Sequence, residues 1–156
     1  MELKKYIRKS YNKKITIRLK DMQNFFCDKK SVNLKLKKNP IIYEVLRKRA
    51  GDTEYSLTTI KPGKIGNEHF MTRGHYHKNN FTELYLLLKG RGILLIQNKK
   101  CIAIKLKKDK IYLISPKYAH RTINIGRDAL EILTIQSTKI KYDYKKIEKA
   151  GFKKKV

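Results

Sequence analysis

Apolar and polar positions along this chain fall into short runs separated by turn residues. Lys14-Ile15-Thr16-Ile17-Arg18-Leu19 alternates with period two, which predicts a strand, and its lysines place that strand at a sheet edge. Asn39-Pro40 interrupts the chain, and Ile41-Ile42-Tyr43-Glu44-Val45-Leu46 follows as a second strand. Strand-length apolar runs then recur over 55–60, 84–88, 92–97, 101–106, 111–115, 120–125 and 130–136. Lys61-Pro62-Gly63, Lys89-Gly90, Asn98-Lys99-Lys100, Pro116-Lys117 and Gly126-Arg127-Asp128 punctuate them. Many short strands with turn signals and no long helical period predict an all-β sandwich or barrel. One short helix is predicted over 142–149, with Gly151 just past its end as a stop. Residues 1–38 read as a basic arm of short alternating pieces and edge strands.

The chain's 156 residues fit one domain, and 40% hydrophobic content is enough to bury a core. The domain divides into the arm at 1–38, the strand-rich core at 39–138 and a basic C-terminal segment at 139–156. No apolar run approaches the roughly 20 residues of a membrane span, so no membrane partner is expected. The first ten residues are charged and lack the apolar run of a secretory signal. Cys27 and Cys101 form neither a CxxC motif nor a disulfide framework, which suits a reducing cytoplasm.

A formal charge of +26 invites a nucleic-acid reading. The kind of charge weakens it, because 31 of the 39 basic residues are lysine. Arginine's planar fork is the usual instrument of phosphate and base recognition. Lysine, isoleucine, asparagine and tyrosine, all abundant here, share A/T-rich codons, so a skewed genome would account for much of the charge. Nucleic acid is therefore not the expected partner.

Candidate chemistry centres on the histidines, His69, His75, His77 and His120. At strand spacing, His75 and His77 project from one face. Glu83 follows six residues later inside an apolar run, where an unpaired carboxylate is costly. His120 also stands among apolar residues, behind Pro116. Three imidazoles and one carboxylate suit a divalent transition metal with open positions. The plain alternative for His75 and His77 is a pair of surface loop histidines.

His75-x-His77, Glu83 and Gly90 resemble the first cupin motif, and Pro116, His120 and Asn124 a loosened second one. The second has Lys110 where cupins usually carry glycine. A closer resemblance runs through Thr58–Gly63, Gly66–His77, Glu83–Tyr85 and Leu88–Gly92 in residue numbers 58–92, continues over 115–126, and ends with Asp143-Tyr144 and 148–152. Together these blocks resemble the cupin-type (archaeal-type) glucose-6-phosphate isomerases over about residues 15–156. The resemblance implies a cupin double-stranded β-helix, a jelly-roll barrel, in a cytoplasmic homodimer. It implies one divalent transition metal per subunit, Fe²⁺ first, with Mn²⁺, Ni²⁺ or Zn²⁺ as alternatives, held by His75, His77, Glu83 and His120. It also implies a sugar-phosphate substrate, cradled by Thr58, Thr72 and Gly74, with Tyr43, Tyr85 and Tyr144 lining the cavity. Glu83 is the candidate proton carrier in interconverting glucose 6-phosphate and fructose 6-phosphate, a step of glycolysis and gluconeogenesis; a metal-assisted hydride shift is the competing route. Gln136 and Tyr142 depart from the family's tyrosine and histidine. Other readings are a related sugar-phosphate isomerase or epimerase and a non-catalytic sugar- or polyanion-binding cupin.

Overall fold

Period-two alternation sets the larger of two sheets. In a computed structural model, which describes residues 2–156, β1 (Lys13–Arg18), β2 (Ile41–Ala50) and β3 (Thr53–Ile60) pair antiparallel in sequence. Beyond β3 lie β12 (Leu130–Ser137), β7 (Glu83–Lys89) and β10 (Ile111–Ile114), completing a six-stranded sheet in the order β1-β2-β3-β12-β7-β10. β1 occupies the edge, as its lysines predict. A second sheet of three strands orders β11 (Ala119–Asn124), β8 (Gly92–Gln97) and β9 (Cys101–Lys105). Two-residue ladders link β4 (Lys64–Ile65) to β5 (Glu68–His69), and β6 (Tyr76–His77) to β13 (Tyr142–Asp143). These pairs are too short to leave a periodic signature.

Buried residues of both sheets belong to one core: Ile42, Ile60, Leu87, Leu130 and Ile132 of the large sheet and Leu94, Leu95 and Ile123 of the small one are nearly or fully excluded from solvent. Helix α3 (Tyr144–Ala150) adds Ile147, and Phe152 follows it into the same core. Asp143 caps α3 by accepting from the Lys146 amide at 3.1 Å, and Gly151 ends it at φ +66°. The helix thus begins two residues later than the sequence pattern predicts, because Tyr142 and Asp143 are taken up by pairing with β6.

The arm differs more from expectation. It holds two helices besides β1: α1 (Leu3–Ser10) and α2 (Lys29–Leu36). Each shows only one turn of apolar spacing, Leu3 with Ile7 and Val32 with Leu36, so lysines hide the helical period. Ile7 is fully buried against Leu57 and Leu133 on the outer face of the large sheet. Lys4 and Arg8 reach Glu131 of β12 at 2.6 and 2.7 Å, which fixes α1 there. Asp28 caps α2, accepting from the Ser31 amide at 2.9 Å. Among the described residues no helix is long and apolar enough to cross a membrane.

Candidate active site

Residues 71–77 run antiparallel beside β11. The Thr72 amide donates to the Thr122 carbonyl at 2.9 Å, and His75 and His120 exchange backbone hydrogen bonds at 3.2 and 3.1 Å. This ladder sets His75 and His77 next to His120 on the small sheet. Glu83 comes from the first residue of β7, on the large sheet, and only 1% of it is exposed. One ligand atom from each of the four lies within 4.8 Å of the others. Glu83 Oε2 is 3.0 Å from His120 Nε2, and Oε1 lies 3.7 Å from His75 Nε2 and 3.6 Å from His77 Nε2.

Hydrogen bonding tells what this cluster is suited to hold. The Phe81 carbonyl can only accept, so His77 Nδ1, 2.7 Å away, carries the ring proton and donates it. The Nε2 lone pair of His77 then faces Glu83. His75 Nε2 and His77 Nε2 are both buried and lack a hydrogen-bond partner. Burial, and after it the charge of His120, brings the His75 pKa down to about 4, so the ring is a neutral donor. Burial pushes Glu83 upward, but the three imidazoles outweigh it and hold the carboxyl well below its usual range. Two orphaned imidazole nitrogens, a third imidazole and an ionised carboxylate fit a divalent transition metal.

The cluster forms one end of a cavity of about 210 Å³. Tyr43, Thr58, Thr72, Gly74, Tyr85 and Tyr144, the residues put forward from sequence as substrate contacts, all line it, together with His75, Glu83 and His120. His77 stands behind, its side chain fully enclosed. Gly74 holds φ +73°, and a Cβ there would meet Phe152 at 2.7 Å and the His120 carbonyl at 2.8 Å. Burial raises the phenols of Tyr43, to about 12, and of Tyr85, where the Glu83 charge adds to it. Both hydroxyls therefore keep their protons and can donate. Arg121, buried on β11, donates to the Arg73 carbonyl at 2.7 Å and fixes the turn that presents Thr72 and Gly74.

The two departures from the family pattern both face the cavity. The Tyr142 ring packs 4.2 Å from the His75 ring, between centroids. Gln136 turns its Nε2 to Glu54 Oε1 at 2.9 Å. Sequence reasoning missed Arg47 and Arg73, which also line the cavity. Alternation held the signal for Arg47, since Tyr43, Val45 and Arg47 share the inward face of β2.

Two sheets enclosing a three-histidine, one-glutamate cluster define a cupin. A solved structure of oxalate oxidase in complex with the substrate analogue glycolate shares this fold, at a TM-score of 0.52 and 14% identity; the match covers 62% of this chain and 47% of that longer one. The family model for glucose-6-phosphate isomerase (GPI) matches residues 28–155. Glucose-6-phosphate isomerase of Pyrococcus abyssi is 39% identical over 150 residues, and that of Thermococcus gammatolerans 36% over 149. Each alignment covers 91% of this chain and 79% of the relative. The chain belongs to the glucose-6-phosphate isomerase family.

Proposed function

We propose that this chain interconverts glucose 6-phosphate and fructose 6-phosphate in the cytoplasm, as a metal-dependent homodimer. The orphaned Nε2 atoms of His75 and His77 beside Glu83, at one end of a hydroxyl-lined cavity, are the observation that carries this reading. His75, His77, Glu83 and His120 would hold the ion, with Fe²⁺ first among Mn²⁺, Ni²⁺ and Zn²⁺. A divalent ion held there would supply Lewis acidity to the reacting end of the sugar.

The chain's own groups do the rest. Glu83 takes the proton from C2 of the open-chain aldose and returns it at C1, while the hydroxyl proton passes from O2 to O1. Tyr85 stays protonated beside it as a hydrogen-bond donor to those oxygens. Thr58, Thr72 and the Gly74 amide hold the phosphate, and Tyr43 and Tyr144 close the walls around it. Enclosure of His77 and Glu83 keeps bulk water from the proton in transit.

The dimer is supported by the outer face of the large sheet. Ile111 and Leu113 of β10 are 69% and 71% exposed and pair with Leu86 and Leu84, extending an apolar surface beyond the part that α1 covers.

A coupled assay with fructose 6-phosphate tests the reading. Chelation abolishes turnover, and Fe²⁺, Mn²⁺ or Ni²⁺ restores it. Full turnover with metal absent by elemental analysis sinks the metal assignment. A higher kcat/KM for mannose 6-phosphate than for fructose 6-phosphate moves the chain to a neighbouring specificity.

A further inference from the structure

Two arginines line the cavity, Arg47 from the inward face of β2 and Arg73 from the turn before β6. Each has a buried Nε–H with no hydrogen-bond partner. A buried guanidinium donor left open is costly unless something outside the chain completes it. Glu54, only 3% exposed, holds Arg47 without satisfying it: Glu54 Oε1 stands 3.6 Å from Arg47 Nε. The carboxylate is itself committed elsewhere, to Arg49 Nε at 3.0 Å and to Gln136 Nε2 at 2.9 Å. The Arg47 guanidinium lies 5.8 Å from the centre of the Tyr142 ring. On the other side, one Arg73 terminal nitrogen is tied to the Asp21 carbonyl at 3.1 Å, and Arg121 pins its backbone. Tyr144 lines the same cavity as the two arginines.

We infer that Arg47 and Arg73 grip the phosphoryl group of the substrate in this cavity, with Glu54 and Gln136 positioning Arg47. This rests on the sugar-phosphate isomerase reading, and it gives the Gln136 departure a purpose, since a glutamine amide can brace Glu54. A dianion is the ligand that two charged guanidinium groups with unpartnered Nε–H donors match, through charge-assisted hydrogen bonds. The pair adds to the hydroxyl and amide donors of Thr58, Thr72 and Gly74.

Steady-state kinetics and calorimetry on the metal-loaded protein test the inference. Arg47→Ala and Arg73→Ala each raise the KM for fructose 6-phosphate about 10- to 100-fold, the worth of a hydrogen bond to a charged group. kcat changes little, because the phosphate contact is the same in ground and transition states. The inhibition constant of inorganic phosphate rises in parallel. Glu54→Gln raises KM by less than Arg47→Ala and leaves kcat in place. Where an alanine variant unfolds, Arg47→Lys and Arg73→Lys carry the test, since they keep the charge and lose the fork; an intermediate rise in KM is expected. Calorimetric titration with inorganic phosphate reads the same arginines without turnover. A wild-type chain inactive on fructose 6-phosphate, but losing phosphate binding with either arginine, overturns the isomerase reading and keeps the anion site. KM and phosphate affinity within about twofold of wild type in a folded variant overturn the anion site.

Discussion

Glu83 carries two proposed duties, ligand and proton carrier, and a single atom separates them. Glutamine keeps the size and one oxygen donor but cannot take up the proton. Glu83→Gln is expected to retain much of the metal while kcat falls about 10²- to 10⁴-fold, the usual worth of general-base catalysis. Less than a tenfold loss in metal-loaded protein leaves Glu83 a ligand only and favours hydride transfer. Gly74 offers a sharper structural test. Gly74→Ala meets both a positive φ and two contacts under 3 Å, one of them the backbone carbonyl of His120. Its melting temperature and its metal content should drop together, because the same carbonyl belongs to the ladder that seats His75. Chemistry at this scale was legible where residue types are rare. Four histidines and one carboxylate in an apolar run stand out against any background. Arg47 and Arg73 did not, because two cations among 39 basic residues carry no contrast until the fold turns them inward.

Elements divide in the same way. The long strands of both sheets announce themselves through alternation or apolar runs, and their observed limits differ from those runs by a residue or two, except that β2 continues four residues past Leu46 to Ala50. β4, β5, β6 and β13 are two residues each, and only tertiary pairing makes them strands. α1 was illegible for a different reason: five of its eight residues are charged or polar, and its stability comes from what it covers. Ile7→Ala is expected to cost about 2–5 kcal/mol in a urea titration, as for a buried isoleucine that leaves a cavity. An effect under about 0.5 kcal/mol, the range of ordinary surface substitutions, would mean that α1 is not docked on the sheet in solution.

For the whole molecule, charge and shape make separate predictions. Binding to duplex DNA should be weak and should fall steeply as salt rises, because it rests on counterion release alone. Nanomolar, sequence-preferring binding at physiological salt contradicts this. For the dimer proposed above, Leu113→Glu should leave a monomer by light scattering without changing metal content, since Leu113 lies on the outer face, away from the cluster. A monomeric wild type, or a variant of unchanged dimeric mass, would contradict the proposed contact.

His120 belongs to the small sheet and Glu83 to the large one, so a bound ion would also act as a cross-link between two separately hydrogen-bonded layers. Loading would then oppose local parting of the layers as well as prepare the site. By mass action, free metal at 100 times its dissociation constant adds about 2.7 kcal/mol to the folded state. Amides of β11 and β7 should show the largest slowing of hydrogen exchange on loading, with β1 at the far edge scarcely altered. On the metal dependence proposed above, a cell short of the right ion would hold this chain both inactive and easier for proteases to open.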